Sequence, residues 1–185
     1  MFCFCRKRRM NMRSSAMTLE QLNSCDQASF VAAIGHVFEH SPWIASETWS
    51  RRPFRDRTHL HAELCFTLRR ADPGRQLELI QAHPDLAGRL APHESLTAES
   101  SREQASAGLN TLGSDELRKF QTLNEAYRTR FGFPFVICAR LNAREAILQA
   151  MESRLKHSLT EERAAALSEI EKIAGLRLAD VIDAP

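Results

Sequence analysis

No apolar run in this chain approaches the roughly 18 residues of a membrane-spanning helix, and none supplies the roughly 7–15-residue apolar stretch of a secretory signal. H-E-x-x-H, G-x-S-x-G, a phosphate-binding glycine loop and G-x-G-x-x-G are all absent. Metal, acyl-enzyme and nucleotide chemistries therefore lack their usual signatures, which makes a site with no cofactor and no metal the default. The five cysteines (Cys3, Cys5, Cys25, Cys65 and Cys138) are odd in number and fit no zinc or disulfide framework, so reduced thiols in a cytosolic protein are expected. Internal repeats, low-complexity linkers and a second β-rich run to pair with the one described below are missing too.

Acidic residues are absent from the first sixteen positions, MFCFCRKRRMNMRSSA, which carry five basic side chains (Arg6, Lys7, Arg8, Arg9 and Arg13). Without that stretch, 20 basic residues face 23 acidic ones, a net charge of −3, although the whole chain is formally +2. The basic excess therefore belongs to a tail, and the body does not read as a nucleic-acid binder. Residues 1–16 are expected to be a disordered basic tail or the product of a start set too far upstream. Residues 17–185 are long enough for one well-cored domain.

The punctuation of that body is helical. Ser24 or Asp26 can cap a helix with Phe30, Ile34 and Val37 or Phe38 on one face, and Ser41-Pro42 and Asp72-Pro73 read as a cap followed by proline in the first turn. Thr58 can start a helix with Leu60, Leu64 and Leu68 four apart. Gly113 can end one helix and Ser114 begin the next, with Leu117, Phe120, Asn124 and Tyr127 on one face and Gly132 as the stop. Asn142 and Glu145 fit a capping box, and Thr160 can open the last helix, with Leu167, Ile170, Ala174 and Leu178 on its apolar side. FGFPFVICAR, residues 131–140, has no helical period and contains a proline. It reads as one extended apolar segment lodged between helices, whose backbone groups need partners that a polar ligand could supply in part. The fold expected is all-α, a single compact multi-helix domain.

His83 stands before Pro84, where a helix must end, because proline pushes the preceding residue out of the α region. It is either a terminal residue settled against the last carbonyls or an acid–base group at a pocket rim, where a helix C-terminus tunes its titration. Ser100 and Glu103 have capping-box spacing. The same helix start, with a serine hydroxyl, a carboxylate and the Gln104 carboxamide, could also cradle an anionic or ureido-type ligand, with Glu103 as acceptor or base. His36 and His40 are four apart but have no third metal ligand. His59 and His61 point to different sides of a helix, and His93 and His157 are expected in solvent.

HPDLAG (83–88), SSREQASAGL (100–109) and LNEAYRTRFGFPFVICAR (123–140), in this order and spacing, resemble the signature of the 2-oxo-4-hydroxy-4-carboxy-5-ureidoimidazoline (OHCU) decarboxylase family of uric acid degradation. FEHSPWIA (38–45) and TLEQLNSCDQASF (18–30) fit as well, so the resemblance runs from Met17 to the final helix. It implies an all-α homodimer that converts OHCU to (S)-allantoin and CO2 without a cofactor. It further implies that His83 is the catalytic acid–base residue and Glu103 the second chemical group. The substrate pocket would comprise Pro84, Ser100, Ser101, Arg102, Glu103 and Gln104, together with Phe135, Val136, Ile137, Cys138 and Ala139. Ser101 stands where threonine is more usual. Arg140 could meet a carboxylate or face a helix end. Two other readings remain open: a related lyase on another ureido or imidazoline acid, and a non-enzymatic helical module whose basic tail contacts nucleic acid or membrane. The final residues, VIDAP, are not a peroxisomal address.

Overall fold

The computed structural model describes residues 17–87 and 96–183, and the basic tail, Gly88 and His93 lie outside them. In chain order the helices are α1 (Leu19–Ser24), α2 (Gln27–Ile34), α3 (Trp43–Thr48), α4 (Arg57–Arg70), α5 (Pro73–Gln81), α6 (Ala98–Ser106), α7 (Ser114–Phe131), α8 (Arg144–Arg154) and α9 (Leu159–Val181). Among the described residues there is no strand, only a single parallel bridge between Met17 and Ile182.

Short polar side chains start most of these helices by accepting an N–H that has no partner within the helix. Asp26 and Asp72 do so as the local sequence suggests, Thr18 does the same for α1, and Pro73 fills the first turn of α5. Other starts are displaced from the sequence expectation. Asp56 rather than Thr58 caps α4, since its carboxylate already accepts the His59 N–H at 2.7 Å. Ser158 with Glu161 opens α9 two residues before Thr160. Gly113, not Ser114, holds the cap position of α7, with its N–H bonded to the Glu116 carboxylate. Asn142 is drawn away from α8 to close the preceding turn on the Cys138 carbonyl, so Ala143 takes the cap position without a side-chain bond. Ser41 makes no cap bond either, and Pro42 occupies the cap position of α3. Gly132 ends α7 as expected, at a φ of 78° that a residue with a Cβ rarely adopts.

The spine is α9, 23 residues and about 35 Å long at 1.5 Å per residue. It packs against α4, α5 and the 3-10 turn Gly35–Val37. Its Ala166, Ile170, Ala174 and Leu178 meet Leu60, Leu64 and Leu68 of α4 and Leu79 and Ile80 of α5 in one continuous core. Phe120 and Tyr127 of α7 and Ile147 and Met151 of α8 complete it.

Residues 133–138 run extended between α7 and a 3-10 turn at Ala139–Leu141, a slightly shorter stretch than the sequence implies, and they are buried. With no neighbouring strand, side chains serve this backbone. Glu169 accepts the Cys138 N–H at 2.9 Å, Arg154 donates to the Val136 carbonyl at 2.9 Å, and Asn142 donates to the Cys138 carbonyl. Arg154 also lies over the Phe135 ring and pairs with the fully buried Glu162, which receives Tyr127 Oη and His157 as well. His157, expected in solvent, is thus bound to this network.

Removing one partner of a buried ion pair leaves the other charge uncompensated, so Glu162→Ala should destabilise the protein by about 3–5 kcal/mol. Arg69→Ala, which breaks a more exposed pair with Glu171, should cost no more than about 1 kcal/mol. Urea unfolding of the two variants measures the contrast.

Candidate active site

His83 closes the C-terminal end of α5, with its backbone N–H on the Ile80 carbonyl and Nδ1 2.9 Å from the Leu79 carbonyl. A carbonyl only accepts, so Nδ1 carries the hydrogen and Nε2 is the nitrogen left for a ligand. The ring is 6% exposed, and burial, which disfavours the imidazolium, pushes its pKa down to about 4 despite the Leu79 hydrogen bond and the nearby Glu39. The neutral form is therefore the resting one. The sequence left open whether this residue was terminal or facing a pocket, and it is both.

The loop after His83 is tied to α6 by Gln104. Its carboxamide accepts the Ala87 N–H at 2.9 Å and donates to the Asp85 carbonyl at 3.1 Å. The capping-box reading of Ser100 and Glu103 does not hold, because α6 begins three residues earlier at the Thr97 cap. That shift places Glu103 in mid-helix, where the guanidinium of Arg177 takes it in a bidentate pair, Nε to Oε1 and Nη2 to Oε2, both at 2.8 Å. Arg177 in turn donates from Nη1 to Glu39 at 2.8 Å and from Nη2 to the Ser100 hydroxyl at 3.2 Å. Glu39 also receives the hydroxyls of Thr97 and Ser100. Burial alone would raise Glu39, but the Arg177 guanidinium and these bonds outweigh it and hold the carboxyl below its ordinary range. For Arg177 the penalty of burial is likewise overcome by its carboxylates, so it stays charged.

Of these groups, His83, Ser100, Glu103, Gln104 and Arg177 line a narrow cavity of about 30 Å³. His83, Pro84 and Leu86 form one side, and Ser100, Glu103 and Gln104 of α6 a second. Phe135, Val136, Ile137 and Ala139 form an apolar wall, closed by Ile173 and Arg177 of α9. On that wall the Ile137 N–H and C=O have no protein partner among the described residues, so part of the extended backbone remains for a ligand. Glu103 and Arg177 also border a wider cleft of about 340 Å³, whose lining includes Glu99, Arg102, Arg140 and Asp180.

The structure thus brings together His83, Pro84, Ser100, Glu103, Gln104 and most of the extended segment. It does not bring in Ser101, which is exposed, or Cys138, which is not among the residues that line the cavity. Arg102 belongs to the outer cleft and pairs with Glu99 on the same helix face, where three-residue spacing makes them neighbours. Arg140 is held by Asp180 near the end of α9, again in the outer cleft. Two residues escaped the sequence reading. Arg177 had a visible signal, a charged side chain inside the buried stripe Ile170–Ala174–Leu178. Glu39 had little beyond a carboxylate directly after Val37 and Phe38.

A family model described as OHCU decarboxylase matches residues 23–179. The 2-oxo-4-hydroxy-4-carboxy-5-ureidoimidazoline decarboxylase of Halalkalicoccus jeotgali is 44% identical over 165 residues, 89% of this chain and 92% of that protein. The protein of the same name from Amia calva is 41% identical over 169 residues, 91% of this chain and 97% of its own. A crystal structure of (S)-allantoin synthase superposes with a TM-score of 0.70 at 28% identity, over 90% of this chain, which spans 55% of that one.

Because folded His83 binds its proton only near pH 4 whereas an unfolded histidine does so near 6.5, the unfolded chain holds more protons between those values. Stability from this group should be complete above about pH 6.5 and fall by about 3 kcal/mol as the pH drops to 4. Denaturant midpoints measured across that window should flatten in His83→Gln relative to the parent protein.

Proposed function

Because the chain belongs to the OHCU decarboxylase family, we propose that it decarboxylates OHCU to (S)-allantoin in urate degradation, with His83 and Glu103 as its reacting groups. The observation that carries the assignment of residues is their convergence. A neutral imidazole with a free Nε2, a carboxylate and a buried guanidinium share one cavity with an apolar wall.

The chemistry suits those groups. Loss of CO2 leaves an electron pair on a ring carbon, and the adjacent ring C=N can take it up, so the substrate supplies its own electron sink. The protein must then orient the carboxylate out of the ring plane, stabilise developing charge and protonate a single face. In this reading Glu103 accepts the proton of the ring hydroxyl, which becomes a carbonyl, and passes it to the ring nitrogen that has taken up the electron pair, while His83 Nε2 first gains a proton and then delivers it to the carbon that becomes the stereocentre. Arg177 faces the anionic part of the substrate, and Ser100 and Gln104 hold the walls in place. The Ile137 backbone reads a ring amide edge, and Pro84, Phe135, Val136 and Ala139 exclude water. Arg102 and Arg140 act on the approach, in the outer cleft, rather than on the bound ring. The enzyme works without cofactor, as a cytoplasmic homodimer.

His83→Ala should lower enzymatic formation of (S)-allantoin by roughly 100- to 10,000-fold, the usual share of a general acid–base group, while helical content is unchanged. Freshly generated OHCU is the substrate, and circular dichroism follows product chirality, since the spontaneous reaction gives racemate. Near-normal (S)-allantoin output from the variant would overturn the role of His83. For Glu103→Gln, a lowered melting temperature with activity retained would reduce that residue to a structural partner of Arg177.

A further inference from the structure

The buried polar groups that line the cavity, together with Glu39 directly behind Arg177 and Ser100, do not sum to neutrality. Glu39 is 2% exposed and Arg177 3%, and the Glu103 side chain is 13% exposed. Two carboxylates thus share one guanidinium beside an uncharged imidazole, which leaves the empty pocket with one surplus negative charge. The outer cleft does not correct this, because there Arg102 is matched by Glu99 and Arg140 by Asp180. Of the groups that face His83, the segment before α3 contributes Glu39 and the exposed His40, α6 contributes Glu103 and α9 contributes Arg177. The extended segment contributes no charged side chain to the cavity, and burial keeps the thiol of Cys138, which is not part of the lining, protonated.

Resting on the decarboxylase reading, we infer that Glu39 is a positioning residue whose fixed charge makes the pocket take up one proton together with its carboxylate substrate, and that this is the proton consumed by the reaction. A second surplus negative charge placed beside Glu103, with Glu39 buried behind Arg177, is strongly unfavourable unless a proton accompanies it. His83 Nε2 is the basic nitrogen at hand, and an adjacent anion favours its charged form. The balance then closes. The C–C bond to the carboxylate breaks, CO2 leaves, and the electron pair enters the ring toward the C=N. The hydroxyl proton passes through Glu103 to that nitrogen, and the His83 proton ends on the ureido-bearing carbon. The product is neutral, so the charge of the pocket is the same empty, with substrate and with product.

Isothermal titration in two buffers of different protonation enthalpy tests this with allantoate, an open-chain ureido carboxylate, and with neutral (S)-allantoin. Near pH 8 the protein should take up close to one proton per allantoate and almost none per (S)-allantoin. Allantoate affinity should weaken close to tenfold per pH unit on the alkaline side. In Glu39→Gln, which keeps the shape and most of the hydrogen bonding, proton uptake should fall to near zero. That variant should bind allantoate at least as tightly at pH 8 yet turn over OHCU at least tenfold more slowly. A residue that only braces the fold would instead weaken both together. If (S)-allantoin binds the parent protein while allantoate binds with no proton uptake, the inference is overturned and the site assignment stands. If neither ligand binds, the site assignment fails and takes the inference with it. A melting curve for Glu39→Gln within a few degrees of the parent keeps these outcomes readable.

Discussion

The Arg177 guanidinium, gripped by Glu103 on one edge and Glu39 on another, is the constraint on which this molecule is organised. Burying a charge among so few others costs several kcal/mol before any partner is supplied, and only near-complete pairing repays it. Each of the three residues comes from a different part of the chain: the turn after α2, the middle of α6 and the last third of α9. The pair geometry therefore fixes how those elements sit, and with them the width of the cavity. Thr97 shows how tightly this is wound together, since its hydroxyl caps α6 and also donates to Glu39.

A second buried network performs the same service for the opposite wall. Glu162 gathers Arg154, Tyr127 and His157, and Arg154 spends a further N–H on the Val136 carbonyl. An extended segment without a neighbouring strand would otherwise carry orphaned backbone groups into the core. Side chains from α8 and α9 satisfy them selectively, leaving Ile137 unclaimed on the cavity side. The apolar wall is thus tied by hydrogen bonds to the helices, while the Ile137 backbone groups on its cavity side have no partner among the described residues.

The two networks differ in their charge logic. The one around Glu162 sets one carboxylate against the Arg154 guanidinium and serves the fold. The one around Arg177 has two carboxylates on one guanidinium next to a histidine held neutral by burial, an arrangement that weakens the empty protein in acid.

Much of this was legible in the chain itself. Asp26, Asp72-Pro73 and Gly132 marked helix ends by their own backbone chemistry, and Leu60, Leu64 and Leu68 fall on one buried face because 3.6 residues make a turn. The interruption of helical period at 133–138 was visible for the same reason, and the order of three motifs pointed to His83, Glu103 and the extended wall. Local pattern went astray wherever a distant partner competed. Ser100 and Glu103 have capping-box spacing but serve Glu39 and Arg177, and Asn142 leaves its helix for the Cys138 carbonyl. Arg177 lies 138 residues from Glu39 and 74 from Glu103. Helix starts and apolar faces depend on neighbours within a turn or two, so sequence order contains them. The meeting of two carboxylates on one buried guanidinium depends on how α6 and α9 pack, and no spacing along the chain encodes it.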